Sequence, residues 1–247
     1  MRAVRRGARV GSAVVLGLLV ACQSAGELTT QIDCPVIAPA MPSASSASAP
    51  PAPPATDESA SPAPTPMNAA ELLAGVTSAT VETSLGSFTI DLLPDAAPIA
   101  TANFVALARC GFYEGITFHR VLAGFVAQAG DPNTRENRGD FEGLGSGGPG
   151  YSFAIEVPPE GLNYDPYTVA MANAGLPDTN GSQFFICLAD LNAQLPRDYT
   201  IFGRVSAGMD VVNAIGAVEV GNEVTNVPID PVVINRITVE GPESTPQ

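Results

Sequence analysis

Phe118-His-Arg-Val-Leu-Ala-Gly-Phe-Val-Ala-Gln-Ala-Gly-Asp-Pro132 is the stretch on which the fold turns. Phe118 to Val121 and Gly124 to Ala129 read as two short apolar strands, and Gly130-Asp131-Pro132 closes the pair with turn residues. A second stretch runs from Met171-Ala-Asn-Ala-Gly175 to Thr179-Asn-Gly-Ser-Gln-Phe-Phe-Ile186. Its Gln183 to Leu188 is again a strand candidate. The period of two puts Gln183 and Phe185 on one face and Phe184 and Ile186 on the other, so one pair can line a surface groove while the other packs a core.

The same reading extends in both directions. Ala79 to Leu85 and Ser87 to Leu92 are alternating runs parted by Gly86, a hairpin signal. Pro98 suits the first turn of a helix that continues over Ile99 to Arg109, with Phe104, Leu107 and Ala108 on one face and Gly111 as C-cap. Thr168 to Ala172, Tyr199 to Val205 and Val232 to Val239 add strands, and Met209 to Ile215 a second short helix. Eight short strands with turns between them predict a mainly β fold, an eight-stranded antiparallel barrel capped by two helices. Periodicity alone leaves barrel and sandwich equally open.

The N-terminal part is of a different kind. Four arginines within Met1 to Arg9 precede an uncharged run, Val10 to Ala21, of about 12 residues, too short to span a bilayer. It ends in Leu19-Val-Ala-Cys22, which resembles the lipobox of bacterial lipoproteins. The expectations are a signal peptide over 1–21, lipidation of Cys22, and a lipid-anchored, extracytoplasmic location. From Cys34 to Pro66 the chain is mostly Pro, Ala, Ser and Thr, with too little apolar surface to offset the entropy of ordering. Residues 22–76 therefore read as the lipidated terminus plus a tether reaching on the order of 100 Å when extended. Residues 77–247 remain as one domain. The formal charge of −14 includes the four leader arginines; without them it is −18, and the chain has no lysine. That balance excludes nucleic acid as a partner and confines membrane contact to the lipid. With Cys22 reserved for lipid and Cys34 in the tether, Cys110 and Cys187 are expected to be free and buried. No CxxC or His/Cys spacing suggests a metal. Asp131-Pro-Asn133 starts like a calcium loop, but Arg135 and Glu136 break the pattern. Gly143 to Gly150 lacks the Gly-Lys-Ser/Thr ending of a phosphate loop.

The two quoted stretches are similar to the signature blocks of the cyclophilin family of peptidyl-prolyl cis-trans isomerases. The resemblance runs from the Thr83-Ser-Leu-Gly86 turn, through Asn103-Phe104 and Ile201-Phe-Gly-Arg-Val205, to the last strand. It implies a barrel with a substrate groove on its outer face, proline-containing polypeptides as partners, no cofactor, a monomer, and a role in folding secreted or envelope proteins. It also assigns roles. Arg120 is the catalytic residue and Gln128 orients it. Phe125, Met171 and Leu195 form the pocket for the proline ring with Phe185, and Gln183 lines the groove. Asn173 holds the substrate backbone through its main chain, Ala172 and Ala174 leave room for the residues before proline, and Tyr199 lines the groove. Isomerisation needs no proton transfer, so His119, the only histidine, reads as a groove-lining or structural residue beside Arg120. Taken singly, Arg120 would be a surface ion-pair partner and each apolar residue part of the core.

The resemblance has gaps. Many cyclophilins carry a tryptophan just before the leucine matched by Leu195, where this chain has Gln194, and many carry a histidine where Tyr199 stands. Cyclosporin-type ligands are expected to bind weakly. Gly175 to Asp178 is one residue longer than the common pattern, and Asn133 to Leu144 is an enlarged loop holding Arg138-Gly-Asp140, a tripeptide common by chance. The alternative function in view is a non-catalytic cyclophilin-fold module or chaperone that holds proline-containing segments.

Overall fold

The computed structural model describes residues 69–135, 143–221 and 224–241. Strand alternation builds its first hairpin. In β1 (Ser78–Thr83) and β2 (Gly86–Leu92), Ala79, Val81, Phe88, Ile90 and Leu92 are all buried. Val81 pairs with Phe88, Thr80 with Thr89. The Thr83 hydroxyl donates to the Gly86 carbonyl (2.7 Å) and accepts from the Leu85 N–H (3.1 Å), which tightens the turn.

A five-residue helix, α1 (Ala69–Leu73), precedes the hairpin, and the Arg109 guanidinium donates to its Leu72 carbonyl. This helix lies ahead of residue 77, where the sequence places the start of the domain. The helix α2 (Pro98–Arg109) begins with the expected proline, but Ala97 offers no capping side chain. Glu156, distant in sequence, caps it instead: its carboxylate accepts the N–H groups of Ile99 (2.9 Å) and Ala100 (2.8 Å). At the other end Gly111 takes a left-handed φ of 74°. There Gly111 N–H donates to Ala108 and Phe112 N–H to Leu107, a Schellman closure.

The remaining strands are β3 (Arg120–Val121), β4 (Val126–Ala129), β5 (Thr168–Met171), β6 (Phe184–Cys187), β7 (Ile201–Ala207) and β8 (Ile234–Glu240), with α3 (Met209–Gly216) between the last two. All eight strands form one antiparallel sheet in the order β3-β4-β6-β5-β7-β2-β1-β8. Register shifts at Glu82/Thr83, Thr89/Ile90 and Val169/Ala170 bend it. The result is mainly β, as expected. The sheet is a curled half-barrel rather than a barrel closed by a continuous ladder: the edge strands β3 and β8 are joined beside the Thr117–Val233 bridge by single backbone bonds, Phe118 N–H to the Val232 carbonyl and Ile234 N–H to the Ile116 carbonyl.

The concave side holds the main core. Phe104 packs against Tyr113, Phe184 and Phe202, with ring centroids 5.3, 5.7 and 5.0 Å away. Burial of each such ring contributes roughly 1.5–3 kcal/mol. A second cluster of Val126, Tyr164, Ala170, Phe185, Cys187, Leu191 and Ile201 lies on the other face of β4, β5 and β6. Alternation on β6 makes the division: Phe184 and Ile186 belong to the main core, Phe185 and Cys187 to the second cluster.

Two cysteine expectations part company here. Cys187 is free and buried, and burial pushes its thiol up to about 12. Cys110 is disulfide-bonded and only partly buried, which corrects the expectation of a free thiol. It stands just past the end of α2, its sulfur against the Leu107 carbonyl, rather than in a strand interior. The partner cysteine lies outside the described residues, as do the leader, Cys22, Cys34, most of the tether and Arg138-Gly-Asp140.

Candidate functional site

Strand register assembles the site from residues far apart in sequence. Arg120 on β3 pairs with Gln128 on β4, and Gln128 pairs with Phe185 on β6. Their side chains therefore emerge side by side on the convex face. The Arg120 guanidinium donates to Gln128 Oε1 (3.3 Å), Gln128 Nε2 donates to Gln183 Oε1 (2.9 Å), and Gln183 Nε2 donates to the Gly147 carbonyl (2.8 Å). This chain of bonds ties the cation to the loop that forms the far wall. No ion pair joins Arg120 to a carboxylate among the described residues, whereas Arg204 pairs with Asp165 and Arg236 with Glu114.

Beside the guanidinium lies an open cavity of about 320 Å³ bounded by Phe125, Val126, Phe185, Leu195 and Tyr199, with Ala172 and Asn173 at one side. Phe185 and Tyr199 meet edge to face at 5.5 Å. Tyr199 is held by Tyr164, whose hydroxyl accepts the Tyr199 N–H (3.2 Å) and donates to its carbonyl (2.9 Å). The floor is apolar and the rim carries one fixed cation. A second hollow of about 540 Å³ continues past Gln128, Ala172 and Asn173 to Gly147, Tyr151, Ala174 and Thr179. Asn173 sits where the two join. Its side chain is engaged locally, donating to the Asp198 carbonyl and accepting the Gly175 N–H, both at 2.9 Å. Its main-chain N–H and C=O have no backbone partner among the described residues, which leaves an open edge for an extended peptide.

Asp131 underlies this arrangement. It is 0% exposed, and its carboxylate accepts the N–H groups of Asn133 (2.8 Å) and Gly145. The oxygens that a calcium loop would use are turned to the backbone, holding the 143–149 loop against the groove.

Arg120, Phe125, Gln128, Ala172, Asn173, Phe185, Leu195 and Tyr199 thus line one cavity, while Ala174 and Gln183 line its continuation. Two positions need correction. Met171 is 0% exposed and packs in the main core, because β5 turns Ala170 outward and the next residue inward. Val126 lines the cavity instead, on the face that it shares with Gln128 through the period of two. That parity was present in the sequence. His119 likewise points away from the groove: only 4% exposed, it borders a separate hollow of about 230 Å³ with Leu144, Gly145, Thr225 and Val227, to which Arg120 and Gln128 present their other sides. Burial lowers the His119 pKa, against opposing pulls from Asp131 and from a backbone hydrogen bond at Thr117, and the Arg120 charge adds to the lowering. The Gly147 wall was missed, because nothing local in a glycine-rich loop says which surface it will cover.

The comparisons agree with this geometry. A family model described as "Cyclophilin type peptidyl-prolyl cis-trans isomerase/CLD" matches residues 78–239. Peptidyl-prolyl cis-trans isomerase B of Streptomyces anulatus is 44% identical over 179 residues, covering 66% of this chain and 95% of that protein. Peptidyl-prolyl cis-trans isomerase cyp15 of Rhizopus delemar is 43% identical over 166 residues, 66% of this chain but only 24% of the fungal protein. Among solved structures, a Cryptosporidium parvum cyclophilin type peptidyl-prolyl cis-trans isomerase, crystallised in the presence of the dipeptide Ala-Pro, superposes with a TM-score of 0.58 at 34% identity, covering 67% of this chain and 99% of that one. With an apolar cavity, a fixed arginine beside it and an open backbone edge all drawn from the matched residues, the chain belongs to the cyclophilin-type peptidyl-prolyl cis-trans isomerase family.

Proposed function

We propose that this isomerase accelerates rotation about X-Pro bonds in polypeptides outside the cytoplasm, working from a lipid anchor at Cys22. The observation that carries the catalytic part is the Arg120 guanidinium, held by Gln128 at the rim of the cavity between Phe125 and Phe185. The barrier to be lowered is about 18–20 kcal/mol of amide resonance, and no bond is made or broken. In the twisted amide the prolyl nitrogen recovers a lone pair and accepts a hydrogen bond; in the planar amide it does not. A fixed, permanently charged donor at that nitrogen therefore favours the twisted state over both ground states. Each 1.36 kcal/mol of such preference is worth tenfold in rate.

The apolar cavity holds the ring so that the preceding carbonyl turns about it, while the Asn173 main chain holds the segment before proline. His119 has no part to play as acid or base, since no proton is transferred. Turnover of a short Ala-Pro peptide by the full chain, falling at least tenfold in a still-folded Arg120→Ala variant, is the expected result. Rates equal to buffer would leave a binding module, with Gln194 and its altered loop as the cause.

The anchor rests on Leu19-Val-Ala-Cys22 after an arginine-rich start and a short apolar run. No helix among the described residues is long and apolar enough to cross a membrane. Labelled fatty acid incorporated into the wild-type chain, and absent from Cys22→Ser, is the test. The proposal includes a monomer that assists folding of secreted or envelope proteins. Light scattering of the purified chain reads the first, and refolding yields of a proline-limited secreted protein the second.

A further inference from the structure

We infer that the enzyme's own N-terminal segment is an intramolecular ligand and substrate of its groove, through the repeat Ala49-Pro-Pro-Ala-Pro-Pro54. This rests on the isomerase reading above and names a regulator of the same site. The cavity is open to solvent, apolar, and flanked by the small side chain of Ala172 and the unpaired main chain of Asn173, features that fit an Ala-Pro unit. The related Cryptosporidium parvum isomerase was crystallised in the presence of that very dipeptide.

The repeat supplies Ala-Pro twice, at Ala49-Pro50 and Ala52-Pro53, and from Pro35 to Pro66 the only charged residues are Asp57 and Glu58. Such a stretch favours the extended polyproline II form, so little ordering entropy opposes its docking as an extended strand.

Reach decides the choice of repeat. A domain of about 170 residues has a radius of gyration of roughly 15 Å and is therefore about 40 Å across. The chain from Ala52 to α1 at Ala69, extended at about 3.1 Å per residue, spans roughly 50 Å and clears that distance. Ala63-Pro64, only a few residues from α1, is on a much shorter lead. A ligand so attached faces its site at an effective concentration of the order of millimolar, enough for a weak dipeptide-like ligand to compete with dilute clients.

The experiment uses the full chain in detergent, with cis-trans exchange at Ala52-Pro53 followed by NMR and turnover of an external Ala-Pro peptide measured on the same sample. Uncatalysed exchange takes tens to hundreds of seconds. The expected result is exchange at least tenfold faster than that, unchanged on tenfold dilution, and slowed by a saturating excess of the external peptide, a control that needs no variant. The full-length double variant Pro50→Ala/Pro53→Ala is expected to lower KM for the external peptide about twofold or more with kcat unchanged. Uncatalysed exchange at Ala52-Pro53 alongside normal external turnover overturns the proposal and leaves the isomerase standing. Acceleration that falls in proportion to dilution also overturns it, because one chain would then be acting on another. Absence of external turnover strikes at the isomerase reading instead.

Discussion

Arg120 and Gln128 are register partners across the β3–β4 ladder, and the arginine guanidinium donates to the glutamine Oε1 at 3.3 Å. The glutamine in turn donates to Gln183, so it is oriented from behind rather than free to rotate. Gln128→Ala leaves the cation in place but unheld. We expect kcat for an Ala-Pro peptide to fall about three- to tenfold, up to roughly 1.4 kcal/mol, with KM changed less than twofold. Steady-state kinetics beside Arg120→Ala check this; a loss as large as that of Arg120→Ala would mean that Gln128 does more than position.

Gly147→Ala tests the loop wall. A Cβ there would collide with Asp131 Oδ1 and lie 2.9 Å from Asn133 Nδ2, and the carboxylate is buried and already bonded to two backbone N–H groups. The loop has to move, taking the Gly147 carbonyl from Gln183. The expected outcome is a several-fold rise in KM for peptides of four or more residues and a much smaller effect on the shortest Ala-Pro substrate. Equal effects on both would place the damage at the cavity itself.

Glu156→Ala removes the cap of α2. Two N–H groups at the helix start lose their carboxyl acceptor, and the Glu156 N–H remains bonded to Thr200 Oγ1, so the backbone is expected to stay in place. Loss of about 1–2 kcal/mol is expected. For a domain of this size that lowers Tm by about 2–8 °C. Thermal unfolding measures it, with kcat/KM at 10 °C unchanged.

The pH dependence of stability follows from His119. Burial lowers its pKa in the folded state, so below the unfolded value of about 6.5 the unfolded chain binds a proton that the folded chain refuses. Its contribution is complete above that pH and is lost progressively as pH falls below it, towards the lowered folded value. Urea unfolding from pH 8 to pH 5 is expected to show a steeper decline in the wild type than in His119→Gln. Turnover is expected to be flat from pH 6.5 to 8, since isomerisation moves no proton.

Much of this was legible along the chain. The Ala79 to Leu92 hairpin, the helix from Pro98 to its Gly111 cap, and the split of Gln183-Phe-Phe-Ile186 between groove and core all depend on periods of two or on end signals a few residues long. Arg120 and Gln128 stood out because they lie in one short stretch. Cys110 did not, because a covalent partner distant in sequence leaves no local trace.

What the sequence by itself determined is therefore the identity and alternation of the strands, the helix ends, and the chemical character of Arg120, Phe125, Gln128 and Phe185. Tertiary structure alone decided that Glu156 caps α2, that the Gly147 loop walls the groove, that His119 faces a separate hollow, and that the sheet stays a half-barrel joined at Thr117–Val233. Local steric and hydrogen-bond preferences act over a few residues, whereas these arrangements were set by which distant backbone donors and acceptors had to be satisfied once the strands had paired.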